Sequence, residues 1–138
     1  MSRFVLDASA TLAWCFQDES VDWIDALFRR LGAGDQAIVP KHWALEICNS
    51  FLTALRRGRM KREELDRALQ ILLALPIQTD LIADSVLFEK IPVLAEQYAL
   101  TAYDAAYLEL ALRERLPLAT LDRQLRAAAS SAGVALAR

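Results

Sequence analysis

Apolar residues occur along the chain in two rhythms, short unbroken runs and stretches spaced at helical intervals, and the two alternate. Arg3 to Leu6 is a short apolar run ending at Asp7, and a helical stretch follows from Ser9 to about Phe16, which predicts strand, tight turn and helix. Ser20 stands where it can cap a second helix over residues 21–31, in which Val21, Ile24, Leu27, Phe28 and Leu31 recur at helical spacing before Gly32 and Gly34 stop it. Ala37 to Pro40 reads as a second strand. His42 to Arg57 predicts a third helix with the apolar stripe Leu45, Cys48, Phe51, Leu52 and Leu55; Glu46, Asn49 and Thr53 lie on a neighbouring face and Gly58 marks the end.

A fourth helix, from about Arg62 to Leu75, is amphipathic through Leu65, Leu69, Leu72 and Leu73, and residues 76–79 read as a strand. Helix resumes near Asp80, and Pro92 is expected to break or kink it. Tyr103 to Leu116 is rich in good helix formers, with Thr101 available as its cap, Asp104 in its first turn and Pro117 closing it. Leu118 to Thr120 follows as a strand, Leu121-Asp122 as a turn, residues 123–132 as a last helix and residues 134–136 as a terminal edge strand.

Strands that alternate with helices predict an α/β sandwich with a mainly parallel sheet, because parallel neighbours require crossover connections. Such sheets bind ligands beyond the carboxyl ends of their strands. Asp7 and Asp122 each follow a short strand and precede a helix, so both are expected in that crevice. With 138 residues and no polar stretch fit to serve as a linker, residues 1–138 read as one domain.

Composition narrows the possibilities. No stretch of about 18 apolar residues occurs, and the N-terminal run is interrupted by Asp7, so a soluble chain without a signal peptide or membrane association is expected. Cys15 and Cys48 lack CxxC spacing and sit in apolar helical patterns, which predicts buried free thiols and a reducing, cytoplasmic setting. Sixteen basic against eighteen acidic residues argue against binding nucleic acid through bulk charge. Distribution modifies this, because Arg56, Arg57, Arg59, Lys61 and Arg62 fall within seven positions, either as a local cationic patch able to meet nucleic acid or as a solvated helix end.

Four acids carry the candidate chemistry. Asp7 and Asp122 taken singly fit ordinary turn and cap roles. Glu46 sits among Trp43, Ala44, Leu45, Ile47 and Cys48, and Asp104 among Tyr103, Ala105, Ala106 and Tyr107, settings where an unpaired charge is costly. Together they favour one cluster, whose mutual repulsion a hard divalent cation with oxygen ligands, Mg²⁺ or Mn²⁺, would relieve. Such a site suits phosphodiester hydrolysis. Asn49 is on the same helical face as Glu46 and can hold its carboxylate or contact a phosphate. His42, the only histidine, reads as a polar residue near a helix start, and Trp14, Trp23 and Trp43 read as core.

The segments FVLDASATLAW, HWALEICNSFLTALRRGR, LTAYDAAYLELA and LATLD, in this order and spacing, resemble the motifs of the PIN-domain family, in particular the VapC toxins of VapBC toxin–antitoxin systems. The resemblance implies a three-layer α/β/α sandwich and a metal-dependent endoribonuclease in which Asp7, Glu46, Asp104 and Asp122 match the acidic quartet. It matches Ser9, Asn49 and Thr120 to supporting polar positions, and implies a homodimer and a cognate VapB-type antitoxin that enters the active-site groove. Other readings share parts of the pattern: a PIN nuclease for RNA processing or DNA flaps, and a binding module that no longer cleaves. A haloacid-dehalogenase-like phosphotransferase would need the second Asp of a DxDxT motif, which Asp7-Ala8-Ser9-Ala10-Thr11 lacks.

Overall fold

A computed structural model describes residues 2–138. Four strands, β1 (Arg3–Leu6), β2 (Gln36–Val39), β3 (Ile77–Thr79) and β4 (Leu118–Ala119), form a sheet in the order β3-β2-β1-β4, and every pairing is parallel. The helices are α1 (Ala8–Cys15), α2 (Asp22–Gly32), α3 (Trp43–Arg56), α4 (Arg62–Ala74), α5 (Asp84–Tyr98), α6 (Ala102–Glu114) and α7 (Arg123–Ala132). Packing divides them: α1 lies against α2 and α3, and α3 against α4, whereas α6 lies against α5, α7 and β1. The result is the expected α/β sandwich, and the central strands are buried on both faces, as Phe4, Val5, Leu6, Ala37, Ile38 and Val39 show. Among the described residues, no helix is long and apolar enough to cross a membrane.

Several local expectations are corrected. In α3 the core face is Trp43, Ile47, Phe51 and Ala54, while Leu45 is 73% exposed and Cys48 and Leu52 are also exposed. The helix carries apolar residues on more than one face, and the tertiary neighbours α1 and α4 decide which face is covered. Cys15 is half-buried, its thiol pushed up to about 12 by burial. Ser20 does not cap α2; its hydroxyl donates to Asp25 at 2.6 Å, and Val21 is the N-cap. Helix α5 begins at Asp84, not near Asp80, and continues through Pro92. Pro92 is exposed, so the carbonyl it leaves without an N–H partner can turn to water. The terminal strand reduces to a single parallel bridge between Leu118 and Leu136.

Candidate active site

Four helices start at the carboxyl end of this sheet or beside it, and each of the four acids sits at one of those starts. Asp7 is the N-cap residue of α1 and Asp122 that of α7; Glu46 is in the first turn of α3 and Asp104 in the first turn of α6. Helix N-termini carry unsatisfied N–H groups and a partial positive charge, so these are the places where a carboxylate is tolerated best. Asp122 uses this directly, accepting the Leu125 N–H at 2.8 Å, while Thr101 caps α6 by accepting the Asp104 N–H at 3.1 Å.

Asp7 is buried and is held by two hydroxyls. Ser9 Oγ donates to Asp7 Oδ2 at 2.7 Å and Thr120 Oγ1 donates to the same oxygen at 2.5 Å. Each hydroxyl also accepts a backbone N–H from the turn before α7, Ser9 from Leu121 at 3.0 Å and Thr120 from Asp122 at 3.0 Å. The turns after β1 and β4 are thereby tied together through Asp7. On its other side the Asp7 carbonyl accepts the Thr11 hydroxyl, which in turn accepts the Trp43 indole N–H at 3.2 Å, linking the site to α3.

Glu46 is half-buried, and Asn49 does not hold it; Asn49 is exposed. Tyr107, fully buried on α6, donates its hydroxyl to Glu46 Oε1 at 2.6 Å, and His42 Nε2 lies 3.3 Å from the same oxygen. His42 Nε2 also meets the Tyr103 carbonyl at 3.1 Å; a carbonyl can only accept, so Nε2 carries the proton. His42 is therefore part of the acidic site and not only a polar residue at a helix start. Both contacts had a trace in the sequence: His42 and Glu46 are four apart, and Tyr107 stands three residues after Asp104.

The acids affect one another. Burial raises the Asp7 carboxyl above the usual carboxylate range, against the lowering effect of the Thr120 and Ser9 hydrogen bonds. Asp104 is raised to about 6, first by burial and then by the charges of Asp7, Asp122 and Glu46. Among the described residues, none of the four forms an ion pair with an arginine or lysine. A surplus of negative charge at oxygen donors suits a hard divalent cation. No three His, Cys, Asp or Glu side chains among the described residues converge closely enough to ligate one ion by themselves. Mg²⁺ is usually held by one or two carboxylates and completes its shell with waters, so the donor set fits an ion that stays partly hydrated.

The cationic run lies elsewhere. It joins α3 to α4, ten residues beyond Glu46, or roughly 15 Å along the helix. Arg59 is committed to Asp18 and Glu19 and lies over the Phe16 ring, and Arg62 pairs with Asp66. Arg56, Arg57 and Lys61 form no ion pair among the described residues.

A model of the PIN domain matches residues 4–130 of the chain. No curated protein sequence matches it. Among solved structures, PAE2754 from Pyrobaculum aerophilum is similar with a TM-score of 0.71 at 25% identity, over 93% of this chain and 87% of that one. VapBC2 from Rickettsia felis, bound to a DNA fragment from their promoter, is similar in fold with a TM-score of 0.66 at 13% identity, over 99% of this chain and 97% of that one. A toxin–antitoxin complex from Klebsiella pneumoniae gives 0.53 at 18% identity, over 86% of each chain.

Proposed function

The chain belongs to the PIN-domain family, and from that premise we propose that it is a divalent-metal-dependent endoribonuclease, the toxin half of a toxin–antitoxin pair. The observation that carries this reading is the meeting of four carboxylates from four helix starts with, among the described residues, no arginine or lysine paired to any of them. Asp7, Glu46, Asp104 and Asp122 would hold Mg²⁺ or Mn²⁺. When bound, such an ion polarises a phosphodiester and acidifies a water. Ser9 and Thr120 keep Asp7 oriented through Oδ2. Asn49, exposed three residues beyond Glu46 on α3, is available to a substrate phosphate. Arg56, Arg57 and Lys61 would bind RNA backbone at a distance from the cut, giving affinity without sequence choice.

The toxin assignment draws on the names of two structural neighbours, a VapBC complex and a toxin–antitoxin complex. A VapB-type antitoxin would then be the cognate partner, with an arginine or aromatic anchor competing for the acidic groove. The exposed apolar side chains Leu45, Phe88, Val93 and Tyr103 are consistent with surfaces covered by that antitoxin or by the second chain of a homodimer. The decisive experiment is incubation of the purified chain with RNA, and with single-stranded DNA as control, in Mg²⁺ or Mn²⁺, with and without EDTA, alongside Asp7→Asn. RNA cutting that EDTA and the substitution both abolish is expected; cutting that survives both would sink the reading.

A further inference from the structure

We propose that Tyr107 is a positioning residue for the metal site, fixing Glu46 so that one carboxylate oxygen is taken by protein donors and the other is left for the cation. The inference rests on the metal-site reading above and assigns a role within it to a residue outside the acidic quartet. Its basis is a regularity among three of the four acids. Among the described residues, side-chain donors to Asp7 fall only on Oδ2, from Ser9 and Thr120. Both contacts to Glu46 fall on Oε1, from Tyr107 and His42. The backbone donor to Asp122 falls on Oδ1. In each case one oxygen anchors the carboxylate and the second takes no side-chain hydrogen bond among the described residues. Outer groups that orient ligating carboxylates in this way set their geometry and basicity.

Tyr107 suits this task better than the alternatives near Glu46. Its side chain is fully buried on α6, and its hydroxyl reaches Glu46 of α3, so packing restrains the ring that carries the donor. A phenol O–H facing a carboxylate oxygen can only donate to it. The link also spans α6 and α3, and therefore sets the distance between the Asp104 and Glu46 helix starts. His42 adds a second contact, but its N–H is shared with the Tyr103 carbonyl.

Tyr107→Phe keeps the ring and removes only the hydroxyl. Titration of Mn²⁺ into the whole metal-free chain, followed calorimetrically, is expected to show affinity about tenfold weaker in the variant, with a thermal midpoint close to wild type. Glu46→Gln should lose at least as much, and adding Tyr107→Phe to Glu46→Gln should cost little more, because the tyrosine acts through that carboxylate. His42→Ala is expected to weaken Mn²⁺ binding less than Tyr107→Phe does. Wild-type affinity retained in Tyr107→Phe, or an additive loss in the double variant, would overturn the proposal while leaving the nuclease reading in place if the wild type cuts RNA. Tyr107-dependent Mn²⁺ binding in a chain that cuts no RNA would reject the nuclease reading and support this role. A wild-type chain that binds no Mn²⁺ would overturn both.

Discussion

Two acidic clusters in this protein are handled in opposite ways. At the ends of β3 and α6, Asp80 and the buried Glu109 converge on Arg113, which donates to Asp80 Oδ2 at 2.6 Å and to Glu109 Oε2 at 2.9 Å. The guanidinium is itself held firmly protonated by those partners. At the carboxyl ends of β1 and β4, Asp7, Glu46, Asp104 and Asp122 have helix N-termini and hydroxyl groups around them but no arginine or lysine as ion-pair partner among the described residues. One cluster contains its own cation and is complete as folded. The other is left with charge to neutralise, the difference expected between a structural ion-pair network and a site that receives an ion.

That contrast breaks first at Asp7. Asp7→Asn is expected to lower Mg²⁺- or Mn²⁺-supported RNA cleavage roughly 10³-fold, several kcal/mol of electrostatic stabilisation, with secondary structure by circular dichroism unchanged. Cleavage within a few-fold of wild type would remove Asp7 from the site. The completed cluster should answer in stability instead. Arg113→Met strands Glu109 in the interior, and an unfolding free energy lower by about 2 kcal/mol is expected by urea titration, reduced from the usual buried-pair cost because Arg113 is partly exposed. A loss equally large in metal binding would mean that the two clusters are not independent.

Asp104 supplies a subtler test through pH. Its pKa, raised to about 6, means that between the ordinary carboxylate range and that value the folded chain keeps a proton the unfolded chain has released. Metal-free stability should therefore fall as pH rises through this window and level off above it. Asp104→Asn removes its own share of the fall, leaving that of Asp7, so its melting temperature should exceed that of wild type near pH 7.5 and approach it near pH 5, measured in EDTA. A constant offset at both pH values would show that the raised Asp104 pKa is not the cause. The smallest effect is expected from changing Arg56, Arg57 and Lys61 to Ser, which should weaken RNA binding modestly and flatten its salt dependence, by about 0.7 in slope for each phosphate no longer neutralised. Binding unchanged at low salt would leave that run as a solvated helix connection.

Much of the candidate site was legible because its acids occupy positions with local signatures. Asp7 and Asp122 follow apolar strands and begin helices, and the resemblance to PIN motifs matched them with Glu46 and Asp104. Ser9 and Thr120 came from the same motifs, and their hydroxyls do meet on Asp7. Asn49 was the natural partner for Glu46 by helical spacing, yet the carboxylate is held across the fold, by Tyr107 sixty-one residues away. The basic run was visible as composition, but composition could not reveal that Arg59 is occupied by Asp18 and Glu19.

The amino-acid pattern by itself determined the order of strands and helices, the parallel architecture and the placing of acids just beyond strand ends, because those depend on periodicity and on neighbours within a few residues. Tertiary structure alone decided which face of α3 is covered, since that helix bears Leu45 and Leu52 as well as Ile47 and Phe51 and only the packing of α1 and α4 chooses between them. It also decided that Arg113 would neutralise one acidic cluster and that, among the described residues, no arginine or lysine would pair with the other. Charge compensation is a matter of distance in space, and the residues that supply it, or fail to, are far apart along the chain.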